Sequence, residues 1–304
     1  MVTATDSIKD IMRRAFQKGI VIPAFNVAYL PMTRPIVETL KELKAFGLVE
    51  VARPDVEKFG AKSLRAAAEE FQRLADLRYT RLHLDHTPVV DEDGLRVDWR
   101  AIIREGLSLG YQSVMVDGSR LSFEENVAVT RETVEMARPY NAAVEAELGA
   151  VLGHEAGPLP PYEELFRSGK GFTRPEDAKR FVKETGVDWL SVAVGNIHGA
   201  ITGAAKNQTK VEARLNIEHL KKLAKATNVP LVLHGGSGIN QQCVLDGVKA
   251  GIAKINVGTN VRQPYEKALA ERPGDIAHAC AKVADEMRSL IVNYYHIAGS
   301  AEKL

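Results

Sequence analysis

Cysteine is almost missing from this chain. Its two copies in 304 residues, Cys243 and Cys280, lie far apart and without the paired spacing of a metal site. That excludes a small disulfide-stapled fold, and both thiols read as reduced, buried side chains of a cytoplasmic protein. Charge of one sign is missing too. Forty basic residues balance 39 acidic ones for a net charge of +1, which gives no footing for a nucleic-acid or membrane partner. No apolar run approaches a membrane span, and the opening residues Met1-Val2-Thr3-Ala4-Thr5-Asp6 hold no apolar signal core. An early glycine-rich dinucleotide fingerprint is absent, which argues against a nucleotide-binding open sheet.

What is present is an ordinary globular composition, 45% hydrophobic and 26% charged, with enough length for one large core over residues 1–304. Eight short, nearly continuous apolar runs at 21–27, 48–52, 81–85, 112–116, 143–147, 189–194, 230–233 and 253–257 predict strands. Helical periodicity falls between and around them, at 7–18, 33–45, 62–77, 99–109, 123–138, 175–185, 216–226, 241–249, 264–270 and 276–294. Uninterrupted apolar strands suit a parallel sheet covered on both faces. Eight strand–helix repeats predict a single-domain α/β fold, a (β/α)8 TIM barrel with an added N-terminal helix and extra C-terminal helices. An open doubly wound sheet is the second choice. The Gly- and Pro-rich stretch 149–172 is too long for a routine connection and reads as a lid or binding loop.

In such a barrel chemistry gathers where strands end. Strand three ends in Asp85-His86, strand six runs into His198, and strand seven into His234. Singly, each imidazole is as readily a hydrogen-bonded structural group. Together on one rim, three imidazoles leave a fourth position open, which is how catalytic zinc is held. His83, His154, His219, His278 and His296 have no such placement and read as structural or surface groups. After the last two strands come His234-Gly235-Gly236-Ser237-Gly238 and Asn256-Val257-Gly258-Thr259. Loops there bind phosphate through backbone N–H groups and a helix start, although each alone is also plain turn chemistry. A metal, a carboxylate beside a ligand and a phosphate cradle suit proton abstraction next to a polarised carbonyl, followed by addition to an aldehyde.

The motifs carry a resemblance. Ala24-Phe25-Asn26-Val27, Leu82-His83-Leu84-Asp85-His86, Ser113-Val114-Met115-Val116-Asp117-Gly118-Ser119, Phe123-Glu124-Glu125-Asn126, Glu145-Ala146-Glu147-Leu148-Gly149, Thr185-Gly186-Val187-Asp188, Gly195-Asn196-Ile197-His198-Gly199, Leu231-Val232-Leu233-His234-Gly235-Gly236-Ser237-Gly238-Ile239 and Lys254-Ile255-Asn256-Val257 span nearly the whole chain. In that order they resemble the class II, zinc-dependent ketose-bisphosphate aldolases of the fructose- and tagatose-bisphosphate type. The resemblance implies one catalytic Zn2+ on His86, His198 and His234, and Asp85 as base or acid at the carbon alpha to the carbonyl. It implies Glu155 for the proton at the new hydroxyl, Asn26 beside the substrate, and Asn256 facing the enediolate. Gly199, Gly235, Ser237, Asn256, Gly258 and Thr259 would hold the phosphate of dihydroxyacetone phosphate, with a monovalent cation nearby. Glu147 would serve a second, outer metal position or stand as a partly buried strand carboxylate. The family also implies a place in sugar breakdown such as glycolysis, and a homodimer or homotetramer.

The departures fall on the aldehyde side. Where the family has Gln-x-Ser after strand two, this chain has Glu50-Val51-Ala52 followed by Arg53. The loop after His86 is long and acidic (Asp91, Glu92, Asp93), Ile201 and Thr202 replace an expected tyrosine and lysine, and a C-terminal Asp-Pro-Arg arm is absent. Arg53 is expected to read an anionic tail, since guanidinium forks pair with phosphate, sulfonate or carboxylate; an arginine that only ends strand two is the plain alternative. The leading expectation is reversible cleavage of a ketose 1,6-bisphosphate to dihydroxyacetone phosphate and an anionic aldehyde such as glyceraldehyde 3-phosphate. The same chemistry on a differently acidic tail, a non-catalytic aldolase-like subunit and a sugar-phosphate isomerase are the other readings.

Overall fold

The computed structural model describes residues 1–149, 162–196, 213–236 and 238–304. Its strands are β1 (Ile22–Asn26), β2 (Gly47–Ala52), β3 (Thr80–Pro88), β4 (Ser113–Asp117), β5 (Ala143–Leu148), β6 (Trp189–Val192), β7 (Leu231–Leu233) and β8 (Ile252–Val257). They close into one barrel in chain order, and β1 pairs in parallel with both β2 and β8. With helices between the strands this is the expected (β/α)8 barrel.

The period of two along a strand sorts its side chains to two sides. Phe25, Val49, Val51, Leu82, Leu84, Val114, Val116, Val144, Leu190, Leu231 and Leu233 share the large core formed with the surrounding helices. Ile22, Ala24, Leu48, Ala143, Trp189 and Val232 form a second cluster inside the barrel. Helix Ile8–Lys18 contributes Ile8, Ile11, Met12 and Ala15 to that inner cluster, together with Val2, Ala301 and Leu304. The N-terminal helix therefore plugs the mouth where strands begin, capped by Ser7 and ended by Gly19 in the left-handed region. Nearer the strand ends the interior turns polar, with Glu50, His83, Ser113, Glu145 and Lys254 all fully buried.

Most helices lie within a turn of their expected bounds, and Pro175–Thr185 and Gln241–Lys249 coincide with them. The helix expected at 264–270 instead starts directly after β8, as Thr259–Glu271, and carries Pro264 inside it. Proline there suggested a start, but the end of β8 fixes where the helix begins. The last long helix, Ile276–Ser289, continues as a π-helical turn, Leu290–Tyr294. It packs on helix Thr33–Glu42, with Ala279, Val283 and Met287 buried and Arg288 held by Glu42 at 2.8 Å. Two short helices, Arg53–Glu57 and Tyr162–Ser168, gave no periodic signal; the second lies inside the long 149–172 connection. Cys243 and Cys280 are free, half-buried thiols. No helix of the described residues is long and apolar enough to cross a membrane.

Candidate active site

β3 delivers two successive side chains to one place. An ordinary strand sends neighbours to opposite faces, but the register with β4 shifts between Leu84 and Thr87, and His86 adopts a φ of 34°. A left-handed backbone at a non-glycine residue is unfavourable and marks a position set by its surroundings. Asp85 and His86 thereby both reach groups on β7 and β8. Asn256 Nδ2 donates to Asp85 Oδ1 at 2.9 Å, and Asn26 Nδ2, on β1, lies 3.5 Å from Asp85 Oδ2. His86 Nε2 lies 2.7 Å from His234 Nδ1.

The opposite nitrogen of His234, Nε2, is 2.7 Å from Glu145 Oε1. A carboxylate there assigns the proton to Nε2 and leaves the Nδ1 lone pair facing His86. Glu145 is itself fixed by Trp189 Nε1 at 2.6 Å and Lys254 Nζ at 2.9 Å. Lys254 also donates to Asn256 Oδ1 at 2.6 Å and lies 3.5 Å from Glu50. One buried ammonium thus ties the orienting partner of His234 to the amide that holds Asp85. His86 Nδ1 points to Asp117 Oδ2 at 3.7 Å, and Asp117 accepts the Ser119 N–H at 2.9 Å.

Charge follows this geometry. Burial would raise the Asp85 carboxyl, but the charges of His86, Lys254 and His234 outweigh burial and hold it down at about 2. Burial also opposes protonation of His86, yet Asp85, Asp117 and Glu147 around it push its pKa up to about 10. Burial lowers the His234 imidazole, as does the neighbouring His86. Glu147 is raised to about 8 by burial and by Asp117. Glu50 is raised well above the carboxylate range by burial and by Asp85. Glu145 is held well below that range, because Lys254 and His234 overcome its burial.

The donor set fits a borderline divalent metal. Asp85, His86 and His234 bring ligand atoms within 4.8 Å of one another, and His86, Asp117 and Glu147 do the same on the other side of His86. Two imidazole nitrogens aimed at one point, one with its tautomer already set, suit a cation better than each other. Expected ligand His198 lies outside the described residues, as do Glu155, Gly199 and Ser237.

On the β7–β8 side, Gly235 takes a φ of 67°, and Gly258 precedes helix Thr259–Glu271. A side chain at Gly258 would stand 3.2 Å from Asn26 Oδ1, so the close approach of that turn to β1 favours glycine. The residues expected to bind phosphate here, Gly258 and Thr259, stand at the start of this 13-residue helix.

The β2 side differs from expectation. Arg53 opens a five-residue helix, Arg53–Glu57, and its guanidinium is engaged twice, with Glu57 at 2.6 Å and Asp91 at 3.2 Å. Asp55, which the sequence did not single out, is buried with 6% exposure. Its Oδ2 accepts the Ala52 N–H at 2.8 Å and faces Asn26 Nδ2 at 3.3 Å. Desolvation raises its carboxyl to about 6. Sequence reasoning also gave no role to Glu145, Lys254 or Asp117. The signal for the first two was strand parity: Glu145 shares a face with Glu147, and Lys254 with Asn256.

The chain matches the family model described as fructose-bisphosphate aldolase class-II over residues 6–303. It belongs to that family. Among solved structures it is similar to the YdjI aldolase of Escherichia coli K12, at 28% identity and a TM-score of 0.73, covering 97% of this chain and 99% of that one. A Coccidioides immitis protein assigned as a fructose-1,6-biphosphate aldolase matches at 26% identity and a TM-score of 0.75, covering 99% and 100%. As a class II aldolase the chain is a metal-dependent lyase acting on a sugar phosphate.

Proposed function

We propose that this aldolase is zinc-dependent and reversibly cleaves a ketose phosphate into dihydroxyacetone phosphate and an aldehyde. The observation that carries the reading is the Asp85 carboxylate, gripped by Asn256 and flanked by Asn26, beside the facing His86–His234 pair. Zinc would be held by His86, His234 and, by the resemblance, His198; bound there it would polarise the ketose carbonyl. Glu147 and Asp117 offer an outer position that shares His86.

The chain's own residues do the rest. In cleavage the C3–C4 bond breaks, its electron pair moves to the carbon alpha to the carbonyl, the C4 hydroxyl gives up its proton and C3 gains one. Asp85 stays ionised and almost sealed from solvent, with 2% exposure, so it can take or return the proton at that carbon without competition from bulk water. Asn256 fixes one carboxylate oxygen and Asn26 lies beside the other, which sets the direction of attack. Gly235, Gly258 and Thr259 supply backbone N–H groups to the phosphate, joined by Gly199 and Ser237 in the resemblance. Glu155 takes the hydroxyl proton in that scheme. The family's description names a bisphosphate.

Exchange of the C3 proton of dihydroxyacetone phosphate in heavy water tests the donor half without any choice of aldehyde. Exchange that zinc supports and a chelator stops is the expected result. No exchange with zinc bound would leave an aldolase-like subunit without catalysis.

A further inference from the structure

We infer that the aldehyde half of the site binds an uncharged, hydroxyl-bearing aldehyde, with Asp55 as the residue that reads its hydroxyl. The ketose would then carry a phosphate at one end only. This rests on the proposed aldolase reading and goes beyond it.

The path of the substrate follows from the groups that hold it. The phosphate lies at the ends of β7 and β8, the carbonyl at the His86–His234 pair, and the reacting carbon at Asp85. The chain beyond the new bond therefore continues past Asp85 toward β1 and β2. Asn26 stands there, and its single amide nitrogen serves Asp85 Oδ2 at 3.5 Å and Asp55 Oδ2 at 3.3 Å. The two carboxylates flank one amide. Ala52, whose N–H fixes Asp55, is in register with Asp85 across β2 and β3. Asp55 thus borders the reacting centre on its tail side. Where the family's serine hydroxyl was expected, this chain has a methyl group at Ala52 and the Asp55 carboxylate beside it.

Asp55 Oδ1 accepts no hydrogen bond from the described residues, whereas Oδ2 accepts from Ala52 N and Asn26 Nδ2. A carboxylate oxygen left without a protein donor beside the reacting centre is suited to a ligand hydroxyl. It is unsuited to a phosphate or carboxylate, which would meet like charge in a poorly solvated site. The cations flanking Asp55 do not reverse that. Arg53 holds Glu57 and Asp91, Lys58 holds Glu92 at 2.8 Å, and Arg262 holds Glu266 at 2.7 Å. Each of these charges is already shared with an acidic partner, so an anionic tail would find them partly neutralised.

The test is aldol addition of dihydroxyacetone phosphate by the zinc-loaded protein to three aldehydes: racemic glyceraldehyde, racemic glyceraldehyde 3-phosphate and propionaldehyde. Racemates remove any need to know the stereochemistry. The expected order in kcat/KM is glyceraldehyde above propionaldehyde by about tenfold or more, the range given by a hydrogen bond to a charged group, with glyceraldehyde 3-phosphate below glyceraldehyde. In Asp55→Ala the ratio of glyceraldehyde to propionaldehyde should fall to near one, and Asp55→Asn should keep part of it. A wild-type preference for glyceraldehyde 3-phosphate would overturn the inference and needs no variant. An Asp55→Ala ratio equal to wild type would overturn it as well. If the wild type exchanges the donor proton but prefers the phosphorylated aldehyde, only this inference fails. If it exchanges no proton, the aldolase reading fails and takes this inference with it.

Discussion

The two sides of the barrel mouth are built by different means. On the β3, β7 and β8 side Asp85, His86, His234 and Asn256 each sit on a strand or the residue just past it, and a buried network through Glu145 and Lys254 fixes them. On the β2 side the groups sit on a five-residue helix, tied down by ion pairs whose members are partly exposed. The first side cannot change one residue without leaving another buried and unpaired. The second can exchange residues one at a time. That asymmetry is what a family needs when it keeps one half-reaction and varies the partner aldehyde.

The sharpest way to break the comparison is Lys254→Met. Lys254 is fully buried and neutralises Glu145 at 2.9 Å and Glu50 at 3.5 Å. Removing one member of such a group leaves uncompensated buried charge, which destabilises by about 3–5 kcal/mol. Urea unfolding at pH 7 should show that loss, and zinc content should fall with it as His234 loses its oriented partner. A loss under about 1 kcal/mol would mean that the network is as replaceable as the rim.

How much of this was legible in the sequence follows the same line. Eight apolar runs and the residues closing them are local features, so the barrel and the strand-end placement of Asp85, His86 and His234 could be read directly, while Asn256 came with the resemblance. Asp55 could not be read, because its role depends on a backward reach to Ala52 N and on Asn26 from another strand. Arg53 was visible as a charge but not as a committed one, since its partner Asp91 lies 38 residues away. Nor does any local pattern show that β3 shifts register at Asp85 and His86, which is what brings both to one side.

Asp55→Asn separates a functional carboxylate from a structural cap, with a smaller effect. Burial raises the Asp55 carboxyl to about 6, above the usual unfolded value of about 3.9. A raised folded pKa means that the unfolded chain releases this proton first as pH rises. Stability therefore falls between about pH 4 and pH 6 and stays lowered above that. Asparagine lacks the titration, while its amide oxygen can still accept the Ala52 N–H. The variant should be close to wild type at pH 4 and exceed it above pH 6 by up to roughly 3 kcal/mol, read from denaturant midpoints across that range. A variant less stable than wild type at pH 7 would show that Asp55 serves the helix Arg53–Glu57 rather than a ligand.

The smallest effect is expected at Arg53, and it decides between the two views of the tail. Arg53 is about a quarter exposed, and its pairs with Glu57 and Asp91 are of the partly solvated kind that contributes about 0–1 kcal/mol. Asp91 does not depend on it, because backbone N–H groups of Asp93 and Leu95 also hold that carboxylate at 3.1 and 2.9 Å. Arg53→Ala should leave urea midpoints within about 1 kcal/mol of wild type and change KM for a ketose 1-phosphate with an uncharged tail by less than about threefold. The expectation drawn from sequence predicts the contrary for a bisphosphate: a large rise in KM with donor proton exchange unaffected. Measuring both ketoses on one Arg53→Ala preparation sets the outcomes side by side. A tenfold rise confined to the bisphosphate would return Arg53 to the role of anion reader, and Asp55 would then have to be neutralised by the substrate's own counter-ion.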